Sequence, residues 1–158
     1  MSEGASRVIV VLGSPADMPW AERISAGLKR FDVAHEITVA SAHKTPEFLL
    51  QRLREWEGQS EPHVYITVAG RSNALSGFLD AQVTAPVIAC PPASEAFGGM
   101  DILSSLRMPR GVAPLVVLEP ENAALAAAKM LALTSERLRG AIAQSQAEER
   151  QRVMGAQS

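Results

Sequence analysis

The chain has a single cysteine, Cys90, and that shortage already narrows its chemistry. No internal disulfide is available, and without a Cys/His cluster nearby there is no zinc-ligand spacing, so a reducing compartment and no metal are expected. Excess charge is also lacking: fifteen Lys and Arg against seventeen Asp and Glu give a formal net charge of −2. With no basic block, the chain has nothing to neutralise a nucleic-acid backbone or an anionic membrane, and neither is an expected partner. A run of about 20 apolar residues, the length of a membrane-spanning helix, is missing. Met1 to Arg7 also lack the basic start, apolar stretch and small-residue cleavage site of a secretory leader. A soluble, cytoplasmic protein is the expectation.

Ready-made signatures are missing too. There is no GxGxxG dinucleotide fingerprint, no GxxxxGK[ST] phosphate loop and no GxSxG nucleophile elbow. Cys90 precedes Pro91-Pro92 with no base beside it in sequence, which suits a buried strand-end residue better than a nucleophile.

What the chain does hold is one domain's worth of apolar sequence. Its 158 residues, 47% of them hydrophobic, suffice for a domain that buries roughly 70% of its unfolded surface. Five short runs rich in Val and Ile, near 8–12, 36–40, 64–69, 87–90 and 114–118, read as parallel strands covered on both faces. Helical periodicity separates them: Trp20, Ile24 and Leu28 share one face of 19–31, and Phe48, Leu49, Leu53 and Trp56 one face of 46–56. The alternation predicts right-handed crossovers and a three-layer αβα domain, a doubly wound parallel sheet of about five strands in the flavodoxin-like or Rossmann-like manner.

Thr45 before Pro46 reads as a hydroxyl N-cap, Asn73 as the cap of the next helix, and Asp101 as the start of a short helix to Arg107 that Pro109 ends. The small-residue segment 122–133 reads as a helix lying on the sheet, with a subunit contact as the alternative. From Ser135 to Val153 the pattern stays helical around Leu138 and Ile142 but turns charged. The whole chain, 1–158, is expected to be one catalytic domain with 135–158 as a C-terminal helical extension.

Three polar stretches follow the first three apolar runs: Gly13-Ser14-Pro15-Ala16-Asp17, Ser41-Ala42-His43-Lys44-Thr45-Pro46 and Gly70-Arg71-Ser72-Asn73. Loops that leave the carboxyl ends of parallel strands share one crevice, where ligands bind. Glycine permits a tight turn there, and free N–H groups at the next helix start favour an anion. Gly13-Ser14 and Gly70-Arg71-Ser72 therefore suit a monophosphorylated ligand. Asp17 is either a ribose acceptor or a helix-dipole partner. Ser14 and Ser41 are ligand contacts or loop caps, and Lys44 and Arg71 are ligand contacts or solvated charges. Of three histidines, only His43 lies in such a loop, where an imidazole can exchange protons near neutral pH. His35 and His63 lie at strand starts on the opposite edge, where a surface role is expected.

Ser41-Ala42-His43-Lys44-Thr45-Pro46, together with Gly13-Ser14-x-x-Asp17, resembles the aminoimidazole ribonucleotide (AIR) carboxylase family of purine biosynthesis, often called the PurE family. Further matches are Ala69-Gly70-Arg71-Ser72-Asn73, the segment from Pro86 to Pro92, the segment from Asp101 to Pro109, and Asn122-Ala123-Ala124-Leu125, so the resemblance spans roughly residues 8–133. The usual bacterial mutase of this family carries SAHR and a GAAAHLPG-like loop. Ser-Ala-His-Lys and the stretch from Gly70 to Gly77 resemble instead the second branch, known from animals.

The resemblance implies direct carboxylation of AIR with CO2 to carboxyaminoimidazole ribonucleotide (CAIR), without ATP, biotin or metal, in a homo-octamer or homotetramer with sites near subunit contacts. On that reading His43 moves the C4 proton and Lys44 orients the carboxylate. Arg71 and the Gly70 and Ser72 amides are further donors, while Gly13, Ser14, Asp17 and Ser41 hold phosphate and ribose. The alternatives are the N5-carboxyaminoimidazole ribonucleotide mutase reaction on the same fold and a non-catalytic nucleotide-binding module. Pro15-Ala16 departs from the family's hydroxyl-rich residues, Ala74 stands where the animal sequences have glycine, and the synthetase domain fused to the animal enzyme has no room here.

Overall fold

Strand β1, Arg7–Leu12, is the axis of the computed structural model, which describes residues 6–156. Val8, Val10 and Leu12 belong to the apolar cluster on one side of the sheet, and Ile9 and Val11 to the cluster on the other. All five are 0% exposed, which is why this run lacks the polar alternation of a half-buried strand. It pairs in parallel with β2 (Ala34–Val39) and β3 (His63–Val68), Val10 aligning with Ile37 and Ile66. Next come β4 (Val87–Ala89) and β5 (Leu115–Val116), giving a five-stranded parallel sheet of order β2-β1-β3-β4-β5. This is the doubly wound α/β architecture that the alternation predicts, in its flavodoxin-like order. Strand β5 is shorter than the apolar run around it because only Leu115 and Val116 pair with β4.

Helices α1 (Met18–Arg30) and α5 (Pro120–Leu131) cover one face of the sheet, and α2 (Pro46–Glu57) and α3 (Leu75–Asp80) cover the other. The alanine-rich α5, Pro120–Leu131, lies on the sheet with Ala123, Ala124, Ala127 and Ala128 at 0% exposure. Its small side chains have a local cause: a Cβ at Gly27 of α1 would lie 2.7 Å from the Ala124 Cβ. Between β4 and β5 the expected helix over 101–107 contracts to α4, Leu103–Leu106. Before it, Ala96–Ile102 is an irregular 3-10 stretch in which Phe97, Gly98 and Gly99 all take left-handed φ values of 51°, 64° and 83°. Asp101 therefore opens no helix of its own. The last helix, α6, Glu136–Gly155, starts at Ser135, whose hydroxyl accepts from the Leu138 N–H at 3.3 Å. Leu138 and Ile142 anchor it as expected. Arg137 adds a clamp, donating to the carbonyls of Phe31 and Asp32 at the end of α1 at 3.3 and 3.1 Å. Among the described residues no helix is long and apolar enough to cross a membrane.

From β1 the chain crosses to one side to form β2, then to the other to form β3 and the rest of the sheet. The carboxyl ends of β1 and β3 thus flank the reversal point, the place where an open α/β sheet leaves a crevice.

Candidate active site

At the end of β1 the Gly13 N–H donates to the Val68 carbonyl of β3 at 2.9 Å. A Cβ on Gly13 would sit 3.2 Å from the Ala69 Cβ, so glycine is what lets the first and third loops abut. The Ser14 hydroxyl accepts from the Ala16 N–H at 3.2 Å and opens a single 3-10 turn, Pro15–Asp17. Asp17 then occupies the N-cap position of α1 without a side-chain hydrogen bond to that helix. Burial raises the pKa of its carboxylate by more than the hydrogen bond from the Ser14 amide and the charge of Arg71 lower it.

The second loop is tied by hydroxyls. Thr45 does not cap α2 as its position predicts: its Oγ1 accepts from the Ser41 N–H at 2.9 Å and donates to the Ser41 carbonyl at 3.2 Å. Ser41 Oγ in turn accepts from the Lys44 N–H at 3.2 Å. The backbone is satisfied inside this small knot, while His43 and Lys44 are exposed. Neither side chain has a hydrogen-bond or ion-pair partner among the described residues.

The third loop holds Arg71 at φ 58°, a left-handed conformation that costs a residue with a Cβ about 1 kcal/mol or more. Its N–H donates to Asp101 Oδ2 at 3.1 Å, and its carbonyl accepts from the Ser104 hydroxyl at 2.8 Å. Asn73 is buried: its N–H donates to Ser104 Oγ at 3.0 Å, its side-chain amide donates to Ser105 Oγ at 2.9 Å, and its Oδ1 accepts from the Ser76 N–H at 3.3 Å at the start of α3.

These loops enclose one cavity of about 620 Å³, within the range of small-molecule sites. Gly13, Ser14 and Asp17 line it from the first loop, Ser41, His43 and Lys44 from the second, and Gly70, Arg71 and Ser72 from the third. All nine residues predicted from sequence therefore meet. Ser14 and Ser41 are loop caps as well as lining residues, so for them the two readings are not exclusive. A fourth wall was missed: Pro92, Ala93 and Ser94 leave β4 at the same edge, and Asp101 closes in beside them. The strand-end position of Cys90-Pro91-Pro92 was the signal for it. Cys90 itself is 0% exposed, and burial pushes its thiol up to about 11.

The other two histidines are not free surface groups. His35 Nε2 lies 2.7 Å from Ser25 Oγ and its Nδ1 2.9 Å from the Val33 carbonyl. His63 is bound at both nitrogens, to Glu57 Oε1 and the Glu61 carbonyl, each at 2.8 Å. Burial against partners brought by the fold overrides the expectation drawn from their places at strand starts.

The AIR carboxylase family model matches residues 7–152. The chain belongs to the AIR carboxylase family. It is 49% identical over 147 residues to a phosphoribosylaminoimidazole carboxylase of Archaeoglobus fulgidus, covering 93% of this chain and 81% of the relative. To the protein of the same description in Treponema denticola it is 53% identical over 126 residues, 80% of this chain and 79% of the relative. A crystal structure of Treponema denticola PurE superposes with a TM-score of 0.94 at 45% identity and covers 95% of each chain. Against the AIR carboxylase pattern, Pro15 takes the first position of the 3-10 turn, where its fixed φ suits a helix start and its missing N–H is not needed. Ala74 has φ −82°, which does not require glycine.

Proposed function

We propose that this AIR carboxylase, a lyase of purine biosynthesis, adds CO2 directly to AIR and gives CAIR reversibly. The observation that carries this reading is the cavity lined by His43 and Lys44, without partners among the described residues, beside Asp17 and Arg71. In the reaction, the enamine-like C4 carbon of AIR forms a bond to the CO2 carbon, and one C=O electron pair becomes carboxylate charge. C4 then carries both a proton and a carboxylate. His43 removes that proton, and the C–H electron pair restores the aromatic ring; in reverse His43 delivers it. Lys44 faces the carboxylate as its charge develops, with Arg71 and the Gly70 and Ser72 amides as further donors, a preorganised electrostatic setting. Gly13, Ser14, Asp17 and Ser41 hold phosphate and ribose, so that remote binding energy positions the reacting carbon.

The same reading takes residues 1–158 as one catalytic domain with α6 as its extension, working in the cytoplasm as a homo-octamer or homotetramer. Exposed apolar side chains near the site, with Phe97 at 87% and Met100 at 62%, support an assembled form. Presenting the protein with AIR plus bicarbonate, and separately with the N5-carboxylated isomer, tests the reaction. CAIR is expected from the first mixture; CAIR from the isomer alone would make the protein a mutase.

A further inference from the structure

The carboxylase reading leaves unexplained why Arg71, a residue with a Cβ, sits in a left-handed turn at the wall of the cavity. Both polar groups of its backbone are held by one short segment thirty residues downstream in sequence. Asp101 accepts the Arg71 N–H, while Ser104 donates to the Arg71 carbonyl and also accepts the Asn73 N–H. The Ser104 hydroxyl also lies 2.8 Å from the Asp101 carbonyl, so its single proton is shared between that carbonyl and the carbonyl of Arg71. No other hydrogen bond to the Arg71 backbone is present among the described residues.

We propose that Asp101 and Ser104 are positioning residues that hold the 70–73 loop in its left-handed turn, so that the Arg71 side chain and the Ser72 amide face the reacting carboxylate. Resting on the carboxylase reading, this gives the segment after β4 a role in the chemistry through the third loop, without contact to substrate. Asp101 also lines the cavity, so a purely electrostatic role is the competing account. The two differ in what an asparagine does: Asp101→Asn removes the charge and keeps an oxygen acceptor for the Arg71 N–H.

Steady-state carboxylation of AIR is the measurement. Asp101→Ala is expected to lower kcat about 30-fold with little change in KM for AIR, since the misplaced donors act on charge that develops in the transition state. Ser104→Ala should fall in the same direction, and Asp101→Asn should stay within about 5-fold of the parent because the hydrogen bond survives. Glycine adopts the left-handed turn unaided, so in an Arg71→Gly background Asp101→Ala should cost less than about 3-fold. An equal cost in both backgrounds, or Asp101→Asn as damaged as Asp101→Ala, overturns the proposal. Amide hydrogen exchange at residues 72–74 reads the brace without turnover: Asp101→Ala should speed it, and unchanged protection also overturns the proposal. If the unmodified protein fails to carboxylate AIR while the exchange results hold, the reaction assignment has failed and the brace has not.

Discussion

At the amino end of β3, His63 uses both ring nitrogens inside the fold; at the carboxyl end of β2, His43 uses neither. The first histidine belongs to a closed network. Glu57 at the end of α2 accepts from His63 Nε2 and the Tyr65 hydroxyl on one oxygen, and from the Thr84 N–H and hydroxyl on the other. It thereby joins α2, β3 and the loop before β4. Burial alone would raise the Glu57 pKa, but the hydrogen bonds from His63, Thr84 and Tyr65 prevail and hold it below its ordinary value of 4.5. Around His43 the arrangement is reversed: backbone groups are tied by Ser41 and Thr45, while the imidazole and the Lys44 ammonium have no partner among the described residues. Polar groups at one end of the sheet are spent on the fold, and at the other, on the proposed carboxylase reading, they are kept for a ligand.

The sharpest way to break this contrast is to exchange losses between the two ends. Replacing His43 with asparagine should lower kcat by about 10² to 10⁴, the usual worth of a general acid–base group, with no change in melting temperature. Normal turnover with normal AIR binding would remove His43 from the mechanism. Glu57→Ala should do the opposite. It strands the largely buried donors on His63 and Tyr65, leaves those of exposed Thr84 to solvent, and should cost about 2–4 kcal/mol of stability while sparing kcat per folded molecule. Because its carboxyl pKa is depressed in the folded state, Glu57 contributes stability that is present above the unfolded value of 4.5 and is lost as pH falls through the lower folded value. Urea titrations across that acid range should therefore fall steeply for the parent and less for Glu57→Gln.

Asp17→Asn tests the site end more gently. The raised pKa means that ionised Asp17 weakens the fold at neutral pH, so the melting temperature should rise slightly. KM for AIR should rise about 10-fold if the carboxylate holds ribose; an unchanged KM would remove Asp17 from substrate binding. The smallest effect concerns Cys90, whose thiol, pushed up to about 11 by burial, should resist alkylation at pH 8 in the native protein and react once it is unfolded. Rapid native labelling, followed by mass spectrometry, would show that the edge near the site opens.

Much of this was legible in the chain because it is written locally. A strand buried on both faces, such as β1, reads as a near-continuous apolar run, here Val8 to Leu12, and a strand-end loop must contain its own glycine or helix start. That is enough to find Gly13, His43 and Gly70 and to expect them to converge. What escaped was held by side chains from distant segments. Thr45 looks like an N-cap until Ser41 folds back onto it. His63 looks exposed until Glu57 and the Glu61 carbonyl take its two ring nitrogens. Asp101 looks like a helix start because nothing nearby reveals that Arg71 will claim its carboxylate.

Strand β1 precedes the other four strands in the chain and lies inside the sheet, between β2 and β3. Its two hydrogen-bonding edges are filled by β2 and β3, and its Val8, Val10 and Leu12 face is covered in part by α5. During synthesis, one edge of its apolar run, Val8 to Leu12, stays open until His63–Val68 has emerged, and the covering helix follows only after residue 120. Chains interrupted in that interval carry an unpaired, sticky strand and are prone to aggregate. The strand that organises the finished enzyme is also the nascent polypeptide's longest-lived hazard.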